Sequence, residues 1–334
     1  LINLLKKIML EKFERIKLGH FPTPIEHLKN ITKYLGGPNI FIKRDDCTGL
    51  ATGGNKTRKL EFLIPDAIKN KAELVVTVGA VQSNHARQTA AACTLMGLKC
   101  LIILEQRVKD PPETYMNSGN VFLNKLYGAD IKICPKNENF LEYYEKTIKD
   151  LKAKGTNVYF IPGGGSNPIG SMGYVECLNE IIKENDKYNF SHIVHATGSS
   201  GTQAGLLAGR KYFNCNIPVI GICIRYEKKI QLDKVYTEAK KSCKLLQCNV
   251  LDKSEVVVYD EYIGPGYGEP SDEMIEATKL LAKKEGILLD PVYSGKAFAG
   301  LIGLVKNKKF TKKDNVLFIH TGGAASLSAY EWAF

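Results

Sequence analysis

Residues 193–205 read Ile193-Val-His-Ala-Thr197-Gly-Ser-Ser-Gly-Thr202-Gln-Ala-Gly205. A short apolar run gives way to small hydroxylated residues and then to a helical pattern. Gly, Ser and Thr supply backbone N–H groups and hydroxyl donors without a bulky wall, which is the chemistry of an anion nest at a helix start. The same arrangement recurs after other apolar runs. Thr77-Val-Gly-Ala80, Pro162-Gly-Gly-Gly-Ser166 and Thr321-Gly-Gly323 each close one. A generic strand-to-helix turn explains any one of these loops, but not their repetition across the chain.

Working outward, strands are predicted at 40–43, 74–78, 100–104, 131–134, 158–161, 193–196, 219–224, 256–259 and 316–320. Amphipathic stretches of helical length lie between most of them, for example 84–96 and 272–284. Strand–helix alternation with strands apolar on both sides predicts an α/β fold of mostly parallel sheets covered on both faces. Such sheets bind ligands at the C-terminal ends of their strands, where these glycines gather.

The bulk composition narrows the function. With 334 residues, 44% apolar, the chain suffices for one large α/β domain or two smaller ones. The net charge of +11 comes from dispersed lysines that are not interleaved with aromatics, so no nucleic-acid partner is expected. No segment has the length and apolarity of a membrane span. Nine cysteines, an odd number without a C-x-x-C pair, point to free thiols in a reducing compartment and to no metal centre; a Cys243–Cys248 disulfide is given little weight. The N-terminal run Leu1-Ile-Asn-Leu-Leu-Lys6-Lys7 is too short and too charged for a signal peptide, and Met9 is a candidate native start. A cytoplasmic location is expected.

Several further motifs carry chemistry. Gly53-Gly54-Asn55-Lys56-Thr57-Arg58-Lys59 puts two glycines before a lysine at a helix start, so the backbone approaches something flat or anionic while Lys56 projects into that space. Without its neighbours it would be a surface lysine on a turn, and Walker spacing is absent. Gln82-Ser83-Asn84-His85 opens a helix after a strand; capping needs one polar residue, and four exceed that need. Unused amides at that helix start suit a carboxylate. Gly264-Pro-Gly-Tyr267-Gly-Glu269 and Asp290-Pro-Val-Tyr293-Ser294-Gly-Lys296 each place a tyrosine in a loop rather than on an apolar periodic face, which tilts toward a site, although either motif alone reads as structural.

Together these segments resemble the family of 1-aminocyclopropane-1-carboxylate (ACC) deaminase and D-cysteine desulfhydrase, fold-type II, tryptophan-synthase-β-like enzymes that use pyridoxal 5'-phosphate (PLP). The resemblance runs from Leu18-Gly-His-Phe-Pro-Thr-Pro24 through Lys43-Arg-Asp-Asp46, the run Gly53 to Glu61 and Gln82 to His85, to Thr321-Gly-Gly323. It implies two domains, each an open, mostly parallel twisted sheet covered by helices, with PLP in the cleft between them. The expected division is a large PLP-binding domain at 9–59 plus 172–334, a small domain at 60–171 and an N-terminal extension at 1–8. The implied roles are a Schiff base to PLP and α-proton transfer for Lys56, and phosphate binding by Ser199, Ser200, Gly201 and Thr202. Asn84 would bond the ring hydroxyl, and Thr321 and Ser294 would lie near the pyridine nitrogen. Ser83, with Gln82, Asn84 and His85 around it, would hold the substrate, and Tyr267 and Tyr293 would flank it. A small amino acid as substrate and a homodimer are likewise expected.

One departure chooses the branch. The ACC deaminases carry Glu after the second tyrosine, and this chain carries Ser294. A carboxylate there keeps the pyridine ring protonated and makes a strong electron sink; a hydroxyl favours a neutral ring and a weaker one. The weaker sink suffices when a good leaving group departs from Cβ. The resemblance therefore implies β-elimination from D-cysteine, with L-cysteate sulfo-lyase or ACC deaminase as the alternatives.

Overall fold

The computed structural model describes residues 12–334; the extension expected at 1–8 and the candidate start at Met9 lie outside the described residues. The strands in chain order are β1 (Ile25–His27), β2 (Asn39–Lys43), β3 (Leu74–Ala80), β4 (Lys99–Glu105), β5 (Asp130–Ile133), β6 (Val158–Ile161), β7 (His192–Thr197), β8 (Val219–Cys223), β9 (Val257–Tyr259) and β10 (Asn315–Ile319). They form a six-stranded sheet ordered β1-β2-β10-β7-β8-β9 and a four-stranded sheet ordered β5-β4-β3-β6. Only β1 against β2 is antiparallel; every other pairing is parallel. This is the α/β architecture of two mostly parallel sheets.

Every strand read from an apolar run is present, with ends displaced by at most two residues. The strand not anticipated is β1. It is three residues long, pairs only with β2, and has no buried residue, so it carries neither an apolar run nor an alternation to read.

Both faces of each sheet are covered, as parallel pairing requires. In β10, Leu317 and Ile319 point into a core shared with helices Pro168–Tyr188, Gly201–Phe213 and Lys228–Leu245, while Val316 and Phe318 point to helices Lys29–Leu35, Asp272–Glu285 and Ser294–Lys306. In the smaller sheet, Val75 of β3 packs with Ala86, Ala90 and Cys93 of helix Asn84–Leu95, and Val76 faces the helix Phe140–Ala153. Each such fully buried aliphatic or aromatic side chain contributes about 1.5–3 kcal/mol. No helix among the described residues is long and apolar enough to cross a membrane. No disulfide joins any of the nine cysteines, Cys243 and Cys248 included.

The helix that begins at Lys56 is anchored by a buried charge network. Arg58 makes two 2.8 Å hydrogen bonds to Asp45 and two more to Glu180, which also pairs with Lys43 at 2.8 Å. Tyr174 adds a 2.7 Å hydrogen bond to Asp45. Burial would raise the Asp45 carboxyl, but the Arg58 guanidinium holds it below its ordinary range. Gly173 lets helix Pro168–Tyr188 come into backbone contact here, since a Cβ on it would lie 2.3 Å from the Arg58 carbonyl oxygen. Lys56 thus starts a helix held within two residues of its origin.

Candidate active site

A small cavity opens at the C-terminal ends of β7 and β10, with Lys56, Asn84, Ser199, Ser200, Thr202 and Thr321 in its walls. A wider cleft shares Lys56, Ser199 and Tyr293 with it and adds Ser83, His85, Tyr267, Arg107 and Arg225. Loops from both sheets contribute, so residues far apart in the chain meet here.

Lys56 is buried, and its Nζ donates a 2.7 Å hydrogen bond to Asn55 Oδ1. Burial, helped by the nearby Arg87 cation and opposed by Asp290, lowers its pKa to about 8. A much larger fraction of this amine is therefore neutral near pH 7–8 than of a free lysine, as a nucleophile or base requires. Asn55 ties the lysine to two neighbouring loops, through Nδ2 to Thr202 Oγ1 at 3.2 Å and through its backbone N–H to the Thr321 carbonyl at 3.0 Å. The approach of those loops depends on glycine: a Cβ on Gly322, whose φ is +80°, would lie 2.6 Å from the Gly54 Cα.

The Ser/Gly loop after β7 starts the helix Gly201–Phe213, and Ser200 holds a φ of 79° just before it. The first amides of that helix have no acceptor within it, and Ser200 and Thr202 line the cavity. Ser166 Oγ accepts from Gly201 N at 3.1 Å and donates to Ser199 Oγ at 2.9 Å. Beside them lies a residue to which the motif reading assigned no role. Lys59 is fully buried, its Nζ donating to the Gly164 carbonyl at 2.9 Å and lying 3.4 Å from Ser166 Oγ, and it makes no ion pair among the described residues. Burial, then the Lys56 cation, pushes its pKa well down. A buried amine without a paired carboxylate, beside a helix N-terminus of small residues, fits an anionic phosphate. Its spacing is the signal that was available: Lys59 is three residues after Lys56 and shares its helix face.

The segment 82–85 divides. Ser83 caps helix Asn84–Leu95, its Oγ accepting from Ala86 N at 3.1 Å, and it lines the wider cleft with its proton still to donate. Asn84 reaches the smaller cavity; its Oδ1 accepts from Arg87 at 2.9 Å and Asn120 at 3.0 Å, and its Nδ2 donates one N–H to Asp290 Oδ2 at 3.5 Å, leaving the other N–H for the site. His85 also lines the wider cleft. Thr77 Oγ1 gives its proton to the Ile161 carbonyl, so the 2.8 Å contact with His85 Nε2 requires a proton on that nitrogen, and the buried Nδ1 is left without a partner. Burial, then Lys56 and Lys59, keeps this ring neutral. Gln82 departs from its expected place near the substrate. Its amide binds the backbone of Tyr115, Ser118 and Asn120, and it lines neither cavity because those loops need its donors and acceptor.

The two tyrosines meet. Their hydroxyls are 2.5 Å apart and their rings pack edge to face. Lys56 Nζ lies 5.7 Å from the Tyr293 ring centre. Of the pair expected at a ring nitrogen, only Thr321 reaches the cavity wall; Ser294 is fully buried one layer behind it, 3.5 Å from the Gly322 carbonyl. Its hydroxyl belongs to Asp290, a buried carboxylate to which the sequence reading assigned no role. Asp290 also accepts the backbone N–H groups of Val292, Tyr293 and Ser294.

Comparison with known proteins places this geometry. A family model described as pyridoxal-phosphate dependent enzyme matches residues 16–322. A crystal structure of an ACC deaminase homologue superposes with a TM-score of 0.89 at 37% identity, covering 98% of this chain and 97% of that one. A T.th. threonine deaminase superposes with a TM-score of 0.66 at 16% identity, covering 95% and 97%, a likeness of fold alone.

Proposed function

Since the chain belongs to the family of pyridoxal-phosphate-dependent enzymes, we propose that it uses PLP to convert D-cysteine and water to pyruvate, ammonia and hydrogen sulfide. What PLP supplies when bound is an electron sink conjugated to the substrate Cα. The residues described above fit that group: Lys56 for its aldehyde, the Ser199–Thr202 loop with Lys59 for its phosphate, and Asn84 Nδ2 for its ring hydroxyl. Ser83 and the first amides of its helix take the substrate carboxylate. Lys56 Nζ, poised near neutrality by burial, removes the Cα proton. Two phenols joined by one hydrogen bond keep a second hydroxyl proton, and the Tyr267–Tyr293 pair gives it to the departing sulfur.

The observation that carries the choice of substrate is the wall of the smaller cavity. Among the described residues that line it there is no carboxylate, and Thr321 presents a hydroxyl. A wall of that kind supports departure of a thiol, which needs only a modest sink, over the opening of an unactivated ring. The test is release of pyruvate and sulfide from D-cysteine by the PLP-loaded protein; no turnover of D-cysteine would overturn the reading.

One observation favours a second reading, elimination of sulfonate from cysteate. The wider cleft carries three cations besides Lys56. Arg107 lies over the Tyr267 ring at 4.9 Å and pairs with Glu105; Arg225 lies 5.7 Å from the same ring, and Lys234 packs on Tyr226. Neither Arg225 nor Lys234 makes an ion pair among the described residues. Side-by-side assay of D-cysteine, L-cysteine, L-cysteate and ACC separates the readings. Under this one, Arg225→Met weakens turnover of cysteate more than that of cysteine.

A further inference from the structure

Lys296 is fully buried in the first turn of helix Ser294–Lys306. Its Nζ donates two 2.6 Å hydrogen bonds, to the backbone carbonyls of Ile263 and Gly266, and among the described residues it has no ion pair. An ammonium held in this way is costly to bury, and an apolar side chain of similar volume would usually serve stability as well. What the ammonium supplies is direction: both its bonds go to one loop, immediately before Tyr267.

That loop is otherwise tied by two backbone hydrogen bonds, Ile263 N–H to the Asp260 carbonyl and Glu269 N–H to the Gly266 carbonyl, each 3.3 Å long, and by the Glu269 side chain, which accepts the Lys109 backbone N–H at 2.9 Å. Gly264 holds a φ of +69°, and beyond Tyr267 the chain is caught by a 2.9 Å hydrogen bond from Tyr330 to the Gly268 carbonyl. The helix that carries Lys296 is capped by Tyr293, whose hydroxyl meets that of Tyr267. One rigid helix start therefore sets both the Tyr293 backbone and, through the lysine side chain, the loop that presents Tyr267. Burial pushes the Lys296 pKa down to about 8, against the pull of Glu269 and Asp290, and in either protonation state the amine keeps the two N–H donors that the carbonyls take.

We propose that Lys296 is the positioning residue for Tyr267, clamping the loop 263–266 so that the two tyrosine hydroxyls stay in register over the substrate. The proposal rests on the reading that this pair faces the substrate. It requires no contact between Lys296 and the reacting atoms.

A double-mutant cycle tests it in the PLP-loaded enzyme, with Tyr267→Phe, Lys296→Met and the pair, assayed on whichever cysteine enantiomer is turned over. Lys296→Met is expected to lower kcat by about tenfold, since small misplacements of catalytic groups are felt strongly. In the Tyr267→Phe background the same change should cost less than about twofold, because the group it positions has already lost its hydroxyl. The cofactor absorbance should not change. If Lys296→Met fails to fold, Lys296→Gln, which keeps a donor for one carbonyl, completes the same cycle. Losses that multiply, or an unchanged kcat in Lys296→Met, overturn the proposal while leaving the tyrosine reading intact. An unchanged kcat in Tyr267→Phe overturns that reading and this proposal with it.

Discussion

The Ser294 hydroxyl lies 2.7 Å from Oδ1 of Asp290 and accepts the Asp290 backbone N–H at 2.8 Å. Both side chains are fully buried. A hydroxyl has one proton, and an ionised carboxylate can only accept, so the proton of Ser294 points at Asp290. Ser294 is therefore part of a local helix-start assembly rather than a free donor, and the hydroxyl exposed to the cavity is that of Thr321.

That relationship makes Ser294→Glu a poor route to ACC deaminase chemistry. The longer side chain would enter a fully buried site already holding a carboxylate at hydrogen-bond distance. Overpacking alone costs about 1–3 kcal/mol, and like charge adds to it. The expected outcome is a lower melting temperature and no gain of turnover on ACC; a stable variant that opens ACC would show that Asp290 does not block the substitution.

The lowered pKa of Lys56 has a kinetic consequence in the cofactor-free protein. Only the neutral amine attacks an aldehyde, so capture of PLP should quicken as pH rises toward about 8 and level off above it. A lysine of ordinary pKa would still be gaining rate near pH 10. Stopped-flow growth of the visible absorbance band across that range checks this. Lys56→Ala should lose both the band and turnover.

Lys59→Met removes the buried amine next to the Ser199–Thr202 loop. A charge-assisted hydrogen bond to a buried anion is worth about 1.5–3 kcal/mol, so affinity for PLP should fall by roughly ten- to a hundredfold. Titration of the cofactor-free variant reads this directly. Unchanged affinity would place Lys59 in packing rather than in phosphate binding.

Asp45→Asn breaks a buried pair and strands the Arg58 cation between its remaining partners. Such changes destabilise by about 3–5 kcal/mol, and denaturant unfolding should show it. The folded-state pKa of Asp45 is depressed, so its contribution is fully present above the ordinary carboxylate range and is lost as pH falls through the lower, folded value. Stability of the wild type should therefore hold down to about pH 4 and fall below it, and the Asn variant should show a shallower acid limb.

Much of this molecule was legible in its order of residues. Short apolar runs carry their own secondary structure, because burial on both faces of a parallel strand leaves an unbroken apolar stretch. The glycine and hydroxyl loops that follow them mark the binding edge for the same local reason. Lys56, Asn84, Ser199, Ser200, Thr202, Tyr293 and Thr321, read as one site from separated motifs, do line one cavity.

What only the tertiary structure decided is which side chains face that cavity and which serve its frame. Gln82 and Ser83 are adjacent, yet one braces the loop at Tyr115 and the other faces the cleft. Ser294 and Thr321 looked equivalent, yet Asp290 takes the first and leaves the second. The partners of Lys59 and Lys296 lie 30 to 107 positions away, and Asp290 is buried against its own helix start. A periodicity reports the face a residue occupies; the direction of a hydrogen bond depends on partners that packing brings in from elsewhere in the chain.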